Sequence, residues 1–169
     1  MRAVSFFVGA AILAASSISL VAGDFPREEF FVKLEGGWEG SGSLVNSDGE
    51  ETAIAEEWTG RFCDDGSFAM EGTRQWGEDQ QEFRWVYRFN PTTELFECDY
   101  WHTGMDQDVR FEVSLAGERI EMMAPIGDPG TELRIINAFS REGLEGSISM
   151  TSAQGGELLS GTVSHSRKD

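Results

Sequence analysis

Apolar and polar side chains alternate along most of this chain, from Trp38 to near the C-terminus. Aromatic side chains occupy every second position of residues 83–89, and apolar side chains occupy every second position of residues 109–115. A period of two residues is typical of strands that bury one face. The pattern predicts ten strands, near residues 38–46, 51–62, 67–76, 81–90, 94–103, 107–115, 118–124, 131–140, 143–151 and 158–166.

Short turns join these predicted strands, as at residues 47–49, 64–66 and 90–92. Consecutive strands with short turns form an up-and-down antiparallel meander. Closing that sheet removes its exposed edges and leaves an interior that side chains or one small ligand can fill. We therefore predict an all-β fold, a closed antiparallel up-and-down barrel of about ten strands. An open sandwich is the structural alternative.

A short N-terminal helix is expected ahead of the first strand. Residues 24–26, Asp-Phe-Pro, are typical of a helix start, and Gly36 with Gly37 is typical of a helix end. Between them, Phe30, Phe31 and Leu34 form an apolar stripe. We expect this helix to lie across one open end of the barrel.

Residues 1–23 have the pattern of an export signal. One basic residue, Arg2, precedes an almost wholly apolar stretch at residues 3–15, and small residues follow up to Gly23. Cleavage after Gly23 would leave residues 24–169 as a single domain in the periplasm or outside the cell. An uncleaved membrane anchor is the alternative, because the apolar stretch approaches the length of a spanning helix.

The chain is strongly acidic, with 13 basic and 30 acidic residues and a net charge of −17. Loss of Arg2 with the signal would bring the net charge to −18. Nucleic acids and anionic membranes repel such a surface, so neither is expected as a partner of the cleaved protein. The simplest interpretation is a solvated acidic exterior. Composition leaves the oligomeric state open.

Two cysteines, Cys63 and Cys98, lie beyond the signal segment. An even pair in an oxidising compartment suggests one disulfide. However, Cys63 falls at a predicted strand end and Cys98 inside a strand two hairpins later, so bonded and free forms both stay open. The chain has no Cys-x-x-Cys spacing, and we predict no zinc or thiol-redox site.

The opening of the predicted barrel carries a resemblance to known proteins. Gly36-x-Trp38-x-Gly40-x-Gly42 after a short helix resembles the opening motif of calycin or lipocalin-like barrels. With Gly72, Gly104 and the basic end at residues 166–168, the layout also resembles nitrobindin-like proteins and a family of small uncharacterised bacterial secreted proteins. In calycins the first-strand Trp packs at the closed end beside a basic residue. The resemblance therefore implies a Trp38–Arg167 contact, worth about 1 kcal/mol if exposed.

The inward faces of the predicted strands carry a few polar groups among apolar ones. An apolar cavity with a few convergent polar groups is typical of a small-molecule site. The alternatives are that Glu56 and Arg74 pair with each other, or that these side chains reach water at the barrel ends. The candidate ligand-binding residues are Glu56, Trp58, Arg74, Trp85, Tyr87, Tyr100, His102, Asn137 and His165.

His165 has a second possible role that follows from the nitrobindin-like resemblance. In that family a His near the C-terminus ligates a haem iron, and an imidazole is a suitable axial ligand. The resemblance would make His165 that ligand. Apart from this possible haem, we predict no cofactor and no metal.

Catalysis has weaker support than binding. Asp99 and His102 would point to opposite faces of one strand, and the serines lie on strands without a nucleophile elbow. We therefore expect an exported, non-catalytic barrel that binds a small hydrophobic or amphipathic molecule. The alternatives are the haem protein and a structural or protein-interaction barrel whose many inward rings fill the core.

Overall fold

The computed structural model describes residues 25–168 as one closed barrel of ten antiparallel strands. Each strand pairs with its neighbours in the sequence, and the first strand also pairs with the last, Trp38 opposite Arg167. The strands are β1 (Gly36–Asn46), β2 (Glu51–Phe62), β3 (Ser67–Trp76), β4 (Asp79–Asn90), β5 (Leu95–His102), β6 (Val109–Ala116), β7 (Arg119–Pro125), β8 (Glu132–Phe139), β9 (Leu144–Thr151) and β10 (Glu157–Arg167). The predicted all-β closed antiparallel barrel is confirmed, and every strand end lies within two residues of its prediction.

One short helix, α1 (Glu29–Leu34), precedes β1. It begins later than the sequence suggested, because Pro26 lies before the helix instead of in its first turn, and Glu28 at its N-cap makes no side-chain capping bond. Phe30, Phe31 and Leu34 are each at most 1% exposed. The apolar stripe therefore packs into one end of the barrel.

Aromatic rings fill that end of the barrel. The ring of Phe31 lies within 5.4 Å, centroid to centroid, of the rings of Phe68, Tyr87 and Phe96. Phe25 packs edge-on against Phe31 from the segment that precedes α1. These contacts exclude water from the half of the lumen below α1 and anchor the helix by burial of apolar surface.

The Trp38–Arg167 contact that the resemblance implied is present, and Arg167 also holds the end of α1 in place. The guanidinium of Arg167 lies 5.0 Å from the centre of the Trp38 ring and donates hydrogen bonds to the carbonyl oxygens of Lys33 and Glu35. Trp38 in turn donates its indole N–H to the carbonyl of Leu34. The last strand thus supplies partners to carbonyls that the helix end leaves unpaired.

The glycines of β1 allow a close approach to β10. A side chain at Gly42 would place its Cβ 1.9 Å from the carbonyl oxygen of Thr162, and one at Gly40 would lie 2.1 Å from the His165 ring. The opening glycines are therefore required where the barrel closes, and Gly40 also leaves room for an imidazole inside the lumen.

Both cysteines are free in this structure. Cys98 lies on β5 with its side chain in the core, fully buried beside Tyr87, and Cys63 follows β2 in the turn before β3. Burial raises the pKa of the Cys98 thiol well above its ordinary value, which keeps it protonated and unreactive.

The predicted export signal, residues 1–23, lies outside the described residues. Within residues 25–168, no helix has the length and apolar character needed to cross a membrane.

Candidate functional site

A cavity of about 410 Å³ occupies the half of the lumen that α1 does not fill. Its mouth lies at the end opposite α1, where the β1–β2 and β3–β4 turns are. Half-exposed apolar side chains surround this mouth, among them Trp76, Leu133, Met150 and Leu159. The volume is within the range of about 300–1,000 Å³ typical of small-molecule sites.

All nine residues singled out from the sequence lie on the wall of this one cavity. They reach it from six different strands, because strands of a barrel alternate inward and outward side chains. The residues are Glu56 and Trp58 on β2, Arg74 on β3, Trp85 and Tyr87 on β4, Tyr100 and His102 on β5, Asn137 on β8 and His165 on β10. Lining a cavity does not by itself assign a ligand contact, so their binding role stays a prediction.

Four of these residues form a buried polar cluster at mid-depth. Arg74 donates its Nε–H to Oε1 of Glu56, and its Nη1 lies 3.0 Å from the hydroxyl oxygen of Tyr100. The other carboxylate oxygen of Glu56 lies 3.0 Å from Nε2 of His165. The Glu56–Arg74 pair, which the sequence offered as the alternative to a ligand-binding role, is present. Tyr100 on the Arg74 side and His165 on the Glu56 side extend it.

Burial gives this cluster its electrostatic character. The side chains of Glu56 and Arg74 are only 10% and 11% exposed. Burial alone would raise the pKa of Glu56, but the hydrogen bond with His165 and the charge of Arg74 outweigh it, so the pKa of Glu56 lies below its ordinary value. Burial lowers and Glu56 raises the pKa of Arg74, with a net upward shift. Both groups are therefore charged at neutral pH.

His165 is fixed by its surroundings. It is 8% exposed, its ring occupies the space that the absent Cβ of Gly40 leaves, and it meets the Trp58 ring edge-on with the centroids 5.7 Å apart. Nε2 is directed at the Glu56 carboxylate, so a hydrogen carried on Nε2 satisfies that bond. Nδ1 is buried and has no hydrogen-bond partner within residues 25–168.

This arrangement bears on the haem alternative. An axial ligand must offer an unprotonated, accessible ring nitrogen. Nε2 of His165 bonds Glu56, and Nδ1 is enclosed by protein atoms. In the described conformation the residues do not fit a haem, and coordination would need the Glu56–His165 bond to break. Haem binding by His165 stays a prediction.

The other predicted residues differ in how they face the cavity. Trp85 packs against Tyr100 with 4.1 Å between ring centroids and the ring planes tilted by 32°, and it forms part of the wall. Tyr87 lies at the floor, 1% exposed, with its hydroxyl 3.4 Å from the sulfur of Met122. Asn137 is half-buried over Gly146, whose missing side chain leaves room for the amide. His102 is half-buried, with Nδ1 2.7 Å from the Thr103 carbonyl.

Sequence reasoning missed the mouth of the cavity. Trp76 has the same parity on β3 as Arg74, so the alternation that placed Arg74 inward could have placed Trp76 as well. Ile126 and Asp79 lie beside turns, where a period of two gives no direction. Residues of the cavity wall that our candidate set lacks include Leu44, Trp76, Asp79, Gln81, Ile126, Leu133, Met150 and Leu159.

The described residues show no arrangement for metal chemistry. No group of three or more His, Cys, Asp or Glu side chains within residues 25–168 could hold a metal ion. Asp99 lies on the outer face of β5, where it bonds Arg88 and Arg110, and so is directed away from His102.

The closed ten-strand meander, with one end filled and the other open to a cavity, defines a calycin-like barrel. No protein-family model and no curated protein matched the chain. The class therefore rests on the fold.

Solved structures of the same architecture are similar to this chain. The S-type phycobiliprotein lyase CPES from Guillardia theta aligns with a TM-score of 0.59 at 11% identity, over 83% of this chain and 92% of the lyase. A protein of unknown function from the DUF3598 family of Nostoc punctiforme gives 0.53 at 11% identity, over 82% of this chain and 49% of its own. Rv2717c from M. tuberculosis gives 0.53 at 17% identity, over 80% and 94%. At these identities the likeness establishes the fold alone.

Proposed function

We propose that this barrel binds one small hydrophobic or amphipathic molecule in its lumen and does so without catalysis. The observation that carries the proposal is the 410 Å³ cavity, apolar along most of its wall, with the Glu56–Arg74–Tyr100–His165 cluster at mid-depth. A buried charged pair is costly to desolvate and adds little stability compared with an apolar core. A role in recognising a ligand accounts for the presence of this charged pair inside an apolar barrel.

The filled-core alternative has less support. Rings pack solidly only in the half of the lumen below α1, whereas the half beyond Trp58 and Trp85 is a cavity. A purely structural barrel gains stability by filling such a space, because residual cavity volume costs contacts. One solved structure of this architecture is a phycobiliprotein lyase.

We also propose that the protein is exported, to the periplasm or beyond the cell, with cleavage after Gly23. The support is the Arg2, apolar and small-residue pattern of residues 1–23. The intact mass of the protein recovered from cells that export it tests this point. A mass that begins at Asp24 supports it, and a mass that retains Met1 contradicts it.

The binding proposal is tested by filling the cavity from β9. Ile148 is directed into the lumen and lines the cavity, whereas its neighbour Ser147 is exposed on the outer face. We expect Ile148→Trp to weaken binding of the uncharged dye phenylnaphthylamine at least about tenfold, because the indole occupies the ligand's space. The measurement is a fluorescence titration of the dye, with stoichiometry.

Ser147→Trp is the matched control, since it adds the same side chain one residue away on the opposite face. We expect this variant to bind one dye per chain as the parent does. Equal dye binding by parent and Ile148→Trp, with both variants folded by circular dichroism, would contradict a luminal site.

A further inference from the structure

We propose that the molecule bound in this cavity carries an uncharged carbonyl group, which accepts hydrogen bonds from Arg74 and Tyr100. This inference rests on the binding function proposed above and names the chemical class of the ligand's polar group. It follows from two properties of the buried cluster, its surplus of donors and its balanced charge.

The donors exceed the acceptors in this cluster. Arg74 has five N–H groups, of which Nε–H bonds Glu56 and one on Nη1 bonds Tyr100. Nη2 makes no hydrogen bond to another described residue. Unlike Nδ1 of His165, which is enclosed and unpaired, Nη2 is not an enclosed atom. Nη2 is therefore reachable from the cavity. A ligand acceptor at this point satisfies a donor that otherwise needs water.

Tyr100 adds a second donor next to the first. Its hydroxyl oxygen accepts from Arg74, and its own hydrogen has no acceptor among the described residues. Burial raises the pKa of Tyr100, more than the opposing effect of Arg74, so the O–H group stays protonated at neutral pH. One carbonyl oxygen, with two lone pairs, can accept from both Arg74 and Tyr100.

The charge of the cluster selects an uncharged acceptor. Glu56 and Arg74 form a buried ion pair and neutralise each other. An anionic head group would therefore bring an uncompensated charge into a buried site. The other carboxylate that lines the cavity, Asp79 at the mouth, disfavours an anion further. A cationic head group would be repelled by the charge of Arg74 and would find hydrogen-bond donors where it needs acceptors.

The walls next to these donors suit a flat apolar body. The Arg74 guanidinium lies 4.9 Å from the centre of the Phe83 ring, and the Trp85 and Tyr100 rings pack against each other at a tilt. Aromatic rings here offer faces for stacking in offset or edge-on arrangements. A planar ring system with a carbonyl substituent fits both the donors and the walls.

Four naphthalene compounds that share one ring system test the inference by isothermal titration at neutral pH. They are methyl naphthyl ketone, ethylnaphthalene, naphthoate and naphthylmethylamine. We expect the ketone to bind about tenfold more tightly than ethylnaphthalene, as hydrogen bonds to a buried charged donor imply. Naphthoate and the amine should both bind more weakly than the ketone.

Two conservative variants locate the effect. Tyr100→Phe keeps the ring that packs against Trp85 and removes only the hydroxyl, so it should lower ketone affinity about fivefold and leave ethylnaphthalene affinity unchanged. Glu56→Gln removes the negative charge and leaves Arg74 uncompensated, so it should raise naphthoate affinity above that of the ketone. Thermal melts show whether each variant is folded.

The outcomes separate this inference from the function on which it rests. If the ketone and ethylnaphthalene bind equally, or if naphthoate binds best to the parent protein, the carbonyl inference is wrong while luminal binding stands. If none of the four compounds nor the uncharged dye binds, the proposed function itself is wrong, and the carbonyl inference falls with it.

Discussion

At the scale of single residues, the candidate site depends on a carboxylate held inside an apolar barrel. Glu56 has two strong partners, Arg74 and His165, and each takes one of its oxygens. Such a group contributes to stability only in its ionised form, because a protonated carboxyl would lose the charge that balances Arg74. The cluster is therefore sensitive to acid.

The lowered pKa of Glu56 predicts how stability depends on pH. Burial raises this pKa, but His165 and Arg74 together lower it by more than burial raises it, so it lies below the ordinary value of 4.5. As the pH falls, Glu56 is protonated in the unfolded chain before it is protonated in the folded protein. Its contribution to stability is therefore complete above about pH 4.5 and is lost as the pH falls through the lower pKa of the folded protein. We expect urea unfolding to show a steeper loss of stability in this range for the parent than for Glu56→Gln.

The control for this prediction is Glu57→Gln, one residue away on the outer face of β2. Glu57 is exposed and bonds only the surface Lys168 among the described residues. This variant should follow the parent curve, since exposed ion pairs contribute little. Identical acid profiles for all three proteins would show that Glu56 is not ionised and paired as described.

At the scale of the elements, α1 determines which half of the lumen is available. A helix of six residues is too short to be stable alone, so packing and its end contacts hold it in place. Arg167 supplies those contacts, since it bonds the carbonyls of Lys33 and Glu35 and lies over Trp38. Arg167 thus links the two strands that close the barrel, β1 and β10, to the helix that fills its end.

We expect Arg167→Ala to lower the free energy of unfolding by about 1–2 kcal/mol, through loss of the cation–π contact and of two charge-assisted hydrogen bonds. The amides of α1 should also exchange faster with solvent, because the end of the helix becomes free to open. Chemical denaturation and hydrogen exchange measure the two effects.

Lys168→Ala is the comparison variant, because it removes a basic residue next in sequence that bonds only exposed Glu57. It should leave both stability and α1 exchange close to those of the parent. An equal effect of the two substitutions would mean that Arg167 acts through net charge and not through its contacts with α1.

The strand elements were predictable from the sequence, but the state of the lumen was not. Alternation along residues 83–89 gives both the extent of β4 and its inward face, since a strand has a fixed period of two. The start of α1 was wrong because Pro26 marks the segment before the helix as readily as its first turn. Whether the rings of Phe31 and Trp85 fill the lumen depends on their depths in three dimensions, which periodicity does not encode.

The polar cluster was only partly predictable for the same reason. Parity places Glu56 and His165 inside the barrel, but their hydrogen bond depends on two separate pairings of β1 that bring both residues opposite Gly40. The gap at Gly40 that admits the imidazole is visible only once these strands are paired.

At the scale of the whole molecule, the two ends of the barrel differ. One end is closed by α1 and its rings, and the other leads between half-exposed apolar side chains to a cavity. The exterior is acidic, with a net charge of −17. This arrangement favours access by a small uncharged molecule from one end, with its polar group at the Arg74 and Tyr100 donors.

The five tryptophans of the chain report on this central claim in one measurement. Trp58, Trp76 and Trp85 line the cavity, Trp38 lies under Arg167 at the closed end, and Trp101 borders a shallow groove on the outer surface. The indole N–H resonances of the isotopically labelled protein, assigned by single Trp→Phe substitutions, are followed as methyl naphthyl ketone is added. The account predicts large shifts for the three luminal indoles, with Trp101 unmoved and Trp38 shifting least of the buried rings. Shifts confined to Trp101, or none at saturating ketone, would contradict a ligand site in the lumen.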